Sequence, residues 1–421
     1  MRRLHHLLLG LLLFLLAAPI PSILILQTWP ILTKDKVSAC LANQTLHGVT
    51  LPQQDVAFSL KTWADASFQR SVTKWANENF AGREIAIKGF NQLLWSTCGK
   101  SYMYSENIVA GPDNQLFERP YLEHFNCFKP PLPEMARQGL ADNISRLHKR
   151  LREYKVPFLV LFTPSKAITL PDAVPDRYRI DQAAPSATVG PRDSERLKVM
   201  LAASGVPILD GAELTRNIGN RLPLPPFPKT GTHWTDLAAF NTAESVLRKL
   251  ERLGTQPPAT LQLTDLTFSD TPKFADADLL LLLNLAWPHF DRYAYAQVSR
   301  KAGSKARQGR LVLVGGSFVH TLNSIWEQAE VWREIDFFYY FTRDFFRYPG
   351  GSHTTPVDAA SIDWRKTFGT ADAVILEINE ASVDGPHIPV FLKAALKGLP
   401  ESPPNNIGAL SPIRNGYSSA E

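Results

Sequence analysis

Arg310-Leu311-Val312-Leu313-Val314-Gly315-Gly316-Ser317-Phe318 is an apolar run that ends in two glycines and a serine. A short unbroken apolar run bounded by glycine reads as a strand buried on both faces, as in a parallel sheet. A serine on a Gly-rich turn after such a strand is where nucleophilic serines are commonly displayed. Outward from this stretch the same grammar repeats. Met135 to Tyr154 carries Leu140, Ile144, Leu147 and Leu151 at helical spacing and runs into the apolar strand Phe158 to Phe162. Leu197 to Ala203 precedes Val206 to Leu209, and Ala373 to Ile378 is a last buried strand. Helix-then-strand alternation predicts an α/β domain with a parallel central sheet and helices on both faces.

A second stretch, Lys229-Thr230-Gly231-Thr232-His233-Trp234-Thr235-Asp236, follows a Pro-rich run (Leu222 to Pro228) that cannot be helix interior. It precedes a helix from Asp236 to Leu253, in which Ala239, Ala243, Val246 and Leu250 share a face. Thr235 or Asp236 supplies its N-cap. His233 therefore sits on a loop just ahead of a helix start. One reading is a histidine tied to a neighbouring carbonyl; the other is a catalytic base. Acyl transfer by serine needs a base within hydrogen-bond reach, an acceptor orienting the far imidazole nitrogen, and donors for the oxyanion. Ser317 and His233 are the candidate nucleophile and base, and the N–H groups around Gly316 to Phe318 are the candidate donors.

These two stretches together resemble the alginate O-acetyltransferase group of SGNH-type proteins. Further segments carry the resemblance: Phe80-Ala81-Gly82-Arg83-Glu84 with Asn91, then Val109 to Phe117; Phe158 to Lys166 with its Pro164-Ser165-Lys166 ending, then Leu170-Pro171; and Asp372 to Glu380. The match runs from about residue 60 to 395, in the family's order. It implies a three-layer SGNH-hydrolase-like fold and transfer of acetyl groups to hydroxyls of an extracytoplasmic polysaccharide, with Ser317 acylated and His233 activating it. It also implies a multispanning membrane O-acyltransferase as partner. The family pattern places an aspartate two residues before the histidine, where this chain has Gly231, and Gly316 directly precedes the serine. The orienting acceptor is then a backbone carbonyl, or another acid such as Asp236 or Glu377, or the site does not turn over. Two alternatives to the transferase follow: a glycan-binding or scaffolding accessory, and a carbohydrate esterase that uses water as acceptor.

The chain has 421 residues, a net charge of +5 and a pI near 9.0. Without a dense Lys/Arg stripe this is no nucleic-acid signature, and it suits a polyanionic glycan or an anionic bilayer surface. Arg2 and Arg3 precede the almost uncharged run Leu4 to Leu26, about the length of a bilayer span. Residues 1–28 are therefore expected to be a signal anchor in a bacterial inner membrane, with a cleaved signal peptide as the alternative. Residues 29–395 would form the SGNH-like domain in the periplasm, and 396–421 a disordered tail. Cys40, Cys98 and Cys127 form no Cys-x-x-Cys pair; one disulfide plus a free thiol, or three reduced thiols, are both compatible. No histidine pair has metal-ligand spacing, and the reading invokes no metal or organic cofactor.

Elsewhere, Phe68 to Phe80 and Ile85 to Trp95 read as helices, the second with Ile87, Phe90, Leu93 and Leu94 inward. Ile108 to Phe117 reads as a hairpin, and 254–275 as a connecting region. Asp278 to Leu283 reads as a short buried helix, and Leu322 to Val331 as a helix after the serine turn. The aromatic run Phe337 to Phe346 reads as a core strand with its neighbours, in preference to a glycan-stacking or membrane-facing surface.

Overall fold

The structure, a computed structural model, describes residues 46–48, 58–79, 83–99, 107–125, 129–179, 191–255, 260–301 and 309–399. The expected anchor over 1–28, Cys40 and Cys127, and the expected tail 396–421 from residue 400 onward lie outside these residues; its first residues, to Gly398, are the end of a helix. No helix among the described residues is long and apolar enough to cross a membrane. The chain divides into two compact units, one up to Ala110 together with Asp278–His289, the other Gly111–Ala277 and Phe290 onward.

The first unit contains helices Leu60–Ala64, Ser67–Asn79 and Arg83–Cys98, strand β1 (Ile108–Ala110) and the short helix Asp278–Leu282. The expected inward face of the third helix needs correction. Phe90 and Leu93 are exposed, and Asn91 is the fully buried residue. Its side-chain amide donates to the carbonyls of Leu283 and Asn284, at 3.1 and 3.3 Å. A buried amide satisfied in this way sets which stripe turns inward, ahead of the apolar residues beside it. Cys98, at the end of this helix, is exposed.

The second unit is built on a seven-stranded sheet. After β2 (Leu116–Glu118) come β3 (Phe158–Thr163), β4 (Ile208–Asp210), β5 (Leu261–Ser269), β6 (Tyr293–Arg300), β7 (Arg310–Gly315), β8 (Glu334–Tyr339), β9 (Asp344–Tyr348), β10 (Ser352–Thr354) and β11 (Ala373–Asn379). The order is β10-β9-β8-β7-β11-β3-β4. Strands β8, β7, β11, β3 and β4 are parallel neighbours. The wholly parallel sheet expected from sequence is corrected at one edge, where β8–β9 and β9–β10 are antiparallel. Only Tyr340 to Arg343 separate β8 from β9. A parallel return needs a crossover of a dozen or more residues, so this link forces a reversal.

Alternate residues of β7 explain why it reads as an unbroken apolar run. Leu311 and Leu313 join one buried cluster with Ala239, Ala243 and Val246 of helix α3 (Asp236–Arg252) and Leu322, Ile325 and Trp326 of α4 (Val319–Gln328). Val312 and Val314 join the other, with Ile144 and Leu147 of α1 (Glu134–Glu153), Leu197 of α2 (Asp193–Ala203) and Phe391 of α5 (His387–Gly398). Each fully buried Val, Leu, Ile or Phe among them contributes about 1.5–3 kcal/mol. The result is three layers, helix–sheet–helix, consistent with the expected SGNH-like architecture.

The sequence pattern does not announce strands Leu261–Ser269, Tyr293–Arg300 and Ser352–Thr354. Leu261–Ser269 lies inside the expected connecting region 254–275 and pairs antiparallel with Tyr293–Arg300. A register shift between Leu263 and Asp265 breaks the period-2 alternation that marks a strand. In the aromatic run, Phe337, Phe338 and Phe341 are buried, while Tyr339, Tyr340, Phe345 and Phe346 are half-buried. It is therefore part core and part surface.

Candidate active site

Ser317 follows β7 at the carboxyl end of the sheet, where open α/β sheets bind their ligands. The turn is tight because a side chain of β11 comes very close. A Cβ on Gly315 would lie 2.6 Å from Glu377 Oε2 and 2.7 Å from its Cβ, so only glycine fits. Glu377 is 1% exposed, and its Oε2 accepts the Gly316 N–H at 2.7 Å while Oε1 accepts the Thr163 hydroxyl. Burial pushes this carboxyl above its usual range, against the opposite pull of these two bonds. The Gly316 N–H, expected from sequence to serve an oxyanion, is thereby engaged. The N–H groups of Ser317 and Phe318, at the head of α4, are the other candidate donors, and that of Ser317 also faces the Tyr340 phenol.

His233 arrives from the loop ahead of α3. Thr235 is the N-cap of that helix, its hydroxyl accepting the Ala238 N–H at 3.3 Å. Its own N–H donates to the Pro226 carbonyl at 2.9 Å, which closes the loop. Trp234 is buried and donates its indole N–H to the Phe318 carbonyl at 3.2 Å. The loop is thus tied to the turn that carries Ser317. His233 Nε2 lies 2.7 Å from Ser317 Oγ, across 84 residues of sequence, and its ring stands 5.0 Å from the Phe318 ring. Base action at Nε2 requires the tautomer with its hydrogen on Nδ1.

The two carboxylates considered as orienters have other partners. Asp236 pairs with Lys273 at 2.6 Å, and Glu377 has both oxygens engaged as described. Gly231 explains why an aspartate is absent from its place. A Cβ there would fall 2.6 Å from the Ala275 carbonyl oxygen and 2.7 Å from that of Asp276.

Residues without a role in the sequence reading complete the surroundings. Tyr340 and Phe341 adopt positive φ of 42° and 55° directly after β8, a strained path for aromatic residues. It lays the Tyr340 ring against the serine turn, where a Cβ on Gly316 would meet the ring at 3.2 Å. Burial pushes the Tyr340 phenol up, partly offset by hydrogen bonding to Ser317, so the group stays protonated beside the candidate nucleophile. His320 is held at about 4, chiefly by burial and then by His233 nearby. Lys166, quoted above only as part of a motif, donates to the carbonyls of the His233 loop. The signal for it was a lysine three residues beyond a buried strand, in the Pro164-Ser165-Lys166 ending.

Residues 108–327 match the family model of the SGNH hydrolase-like domain of the acetyltransferase AlgX, a span that contains both His233 and Ser317. No curated protein matches the chain by sequence. Among solved structures, the O-acetyltransferase domain of AlgJ from Pseudomonas putida matches at 15% identity and TM-score 0.42, covering 65% of this chain and 91% of that one. AlgX from Pseudomonas aeruginosa matches at 12% identity and TM-score 0.41, covering 67% of this chain and 65% of that one. Bacillus cereus PatB1 matches at 12% identity and TM-score 0.40, covering 67% and 98%.

Proposed function

This chain belongs to the family of the SGNH hydrolase-like acetyltransferase domain of AlgX, and from that premise we propose that it transfers acetyl groups to hydroxyls of an extracytoplasmic polysaccharide through Ser317 and His233. The observation that carries the reading is the 2.7 Å approach of His233 Nε2 to Ser317 Oγ. As Ser317 Oγ attacks the acetyl carbonyl of a donor, its proton passes to His233 Nε2. The carbonyl oxygen becomes an oxyanion beside the Ser317 and Phe318 N–H groups. Collapse of the tetrahedral adduct breaks the bond to the donor, whose leaving oxygen takes the proton from His233. In the second half a sugar hydroxyl attacks the acetyl-serine and gives its proton to Nε2. That proton returns to Ser317 Oγ as the O-acetyl sugar departs. General base action is worth about 10²–10⁴ in rate and one oxyanion donor about 10²–10³. Tyr340, protonated and beside Ser317, supports the same half-reactions as a further donor.

In this reading the run Leu4 to Leu26 anchors the protein in a bacterial inner membrane with the main domain in the periplasm. A multispanning membrane O-acyltransferase supplies the acetyl group. The mild positive charge suits an anionic glycan.

The test is acylation by an activated acetyl ester, read as one acetyl group mapped by mass to the Ser317 peptide. Ser317→Ala should abolish the label and His233→Ala should slow it severely, both with little change in melting temperature. Hydrolysis without transfer to any glycan would favour the esterase. A wild-type protein that never labels, yet binds an anionic polysaccharide as well as Ser317→Ala does, would favour the accessory.

A further inference from the structure

Lys166 takes no part in the steps above, yet it is 1% exposed. A lysine so deeply buried is rare, because its ammonium gives up hydration that only strong partners replace. Here the ammonium donates to backbone carbonyls that include, among the described residues, Pro228 at 2.6 Å, Leu116 at 2.8 Å, Gly231 at 2.8 Å and Lys229 at 3.0 Å. The Phe117 ring centroid lies 5.2 Å from Nζ. Three protons are shared among at least these four oxygens, and each bond is charge-assisted. Three of these four acceptors belong to the segment directly ahead of His233. From its other side that segment is held by Thr230, whose hydroxyl donates to the Asp276 carbonyl at 2.7 Å. The base of Lys166 is fixed in turn from the end of β11: Glu380 accepts the Ser165 N–H at 2.9 Å, and the Asn379 amide donates to the Pro164 carbonyl at 2.9 Å.

We propose that Lys166 is a positioning residue for acyl transfer, its ammonium gathering the carbonyls of residues 228, 229 and 231 and so setting the distance between His233 Nε2 and Ser317 Oγ. The inference rests on the Ser–His reading above. Lys166 touches neither substrate nor reacting atoms. It acts on the loop backbone, where the related pattern would act on the imidazole ring through an aspartate. In a chain with glycine at position 231, pinning the backbone takes over part of that orienting work.

A residue that merely supports the fold and one that positions the base differ in one respect: the second works only through His233. A double-mutant cycle on the full chain separates them. Lys166→Met keeps the length of the stem and deletes the charge. It should slow acetylation of Ser317 by an activated acetyl ester about a hundredfold, the scale of a 1 Å misplacement. It should cause no further loss where His233 is already alanine. Lys166→Gln, which keeps two N–H donors, should fall between. Equal slowing in both backgrounds, a wild-type rate in Lys166→Met, or failure of both Lys166 variants to fold would each overturn the proposal. A second readout needs no ester. The His233 ring lies against the Phe318 ring, so its proton NMR shifts carry that ring's current, and displacement of the loop in Lys166→Met or Lys166→Gln should move them. Unmoved shifts reject the proposal even if wild-type protein never labels, an outcome that by itself counts only against the Ser–His reading.

Discussion

Replacing Gly231 by aspartate returns a carboxylate to the position two residues ahead of His233, and the structure predicts harm. The new Cβ would lie 2.6 Å from the Ala275 carbonyl oxygen, 2.7 Å from the Asp276 oxygen and 2.8 Å from the Asp276 carbonyl carbon. All three are backbone atoms, so no side chain can swing away. Carbon–oxygen contacts settle at roughly 3.3 Å and beyond, so the two segments must part by about 0.7 Å. Overpacking of this kind costs about 1–3 kcal/mol. A carboxylate facing two carbonyl oxygens adds a desolvation cost of about 1–3 kcal/mol. The separation is opposed by the bonds from Lys166 to the Gly231 carbonyl and from Thr230 to the Asp276 carbonyl. Whatever shift does occur reaches His233 two residues on, and a misplacement near 1 Å is worth about a hundredfold in rate. Gly231→Asp should therefore lose about 2–6 kcal/mol in urea unfolding. Single-turnover acetylation of Ser317 should slow at least about tenfold. Gly231→Ala isolates the steric part and should lose about 1–3 kcal/mol, with the rate moving the same way. A Gly231→Asp protein at wild-type stability that acetylates faster would refute the reasoning, because segment 275–276 would then have yielded and let the carboxylate reach the imidazole.

Gly315→Ala puts a Cβ against Glu377 Oε2 at 2.6 Å. It should cost about 1–3 kcal/mol and also slow acetylation, since Glu377 holds the Gly316 N–H; calorimetry with the ester assay checks both. Tyr340→Phe keeps the ring and removes the hydroxyl beside Ser317. Acetylation should fall about tenfold or more with the melting temperature nearly unchanged, and an unaltered rate would exclude the phenol as a donor. His320 and His387 are each held at about 4, chiefly by burial. The unfolded chain takes up those protons near its ordinary value of about 6.5. Both groups therefore add stability fully present above about pH 6.5 and lost as pH falls toward 4, at most about 3 kcal/mol each. Urea midpoints at pH 7 and 4.5 should differ accordingly, and His387→Gln should flatten the difference; a midpoint that holds steady over this range contradicts the assignment.

The centre of the fold was legible because β3, β7 and β11 are buried on both faces and leave unbroken apolar runs. Helix Asp236–Arg252 was legible through Thr235 and its apolar spacing. Ser317 and His233 stood out because a serine after Gly-Gly and a histidine before a helix are local patterns. What escaped reading was set by partners far along the chain. Asn91 decides the inward face of its helix through carbonyls of residues 283 and 284. Glu377 was visible as an acid in the last strand, but its service to the Gly316 N–H depends on strand order. Lys166 was visible as a motif letter, while its acceptors are backbone oxygens, which side-chain identities do not encode. The edge reversal at β8–β9 lay in four turn residues inside an aromatic run whose composition suggests one continuous element.

Strand β11 pairs with β7 on one side and β3 on the other, and so joins the two halves of the sheet. Among the described strands it is also the last in chain order. A ribosome working at about 5–20 residues per second needs roughly 3–12 seconds to travel from Ser317 to Glu377. During that interval the serine turn lacks the carboxylate that braces it, and β3 waits for a partner more than 200 positions downstream. The acyl transfer proposed at Ser317 therefore becomes available only once β11 has been made. A chain that stops short of β11 would hold both residues proposed to react and should still be inert, since the strand that brings its halves together has not yet emerged.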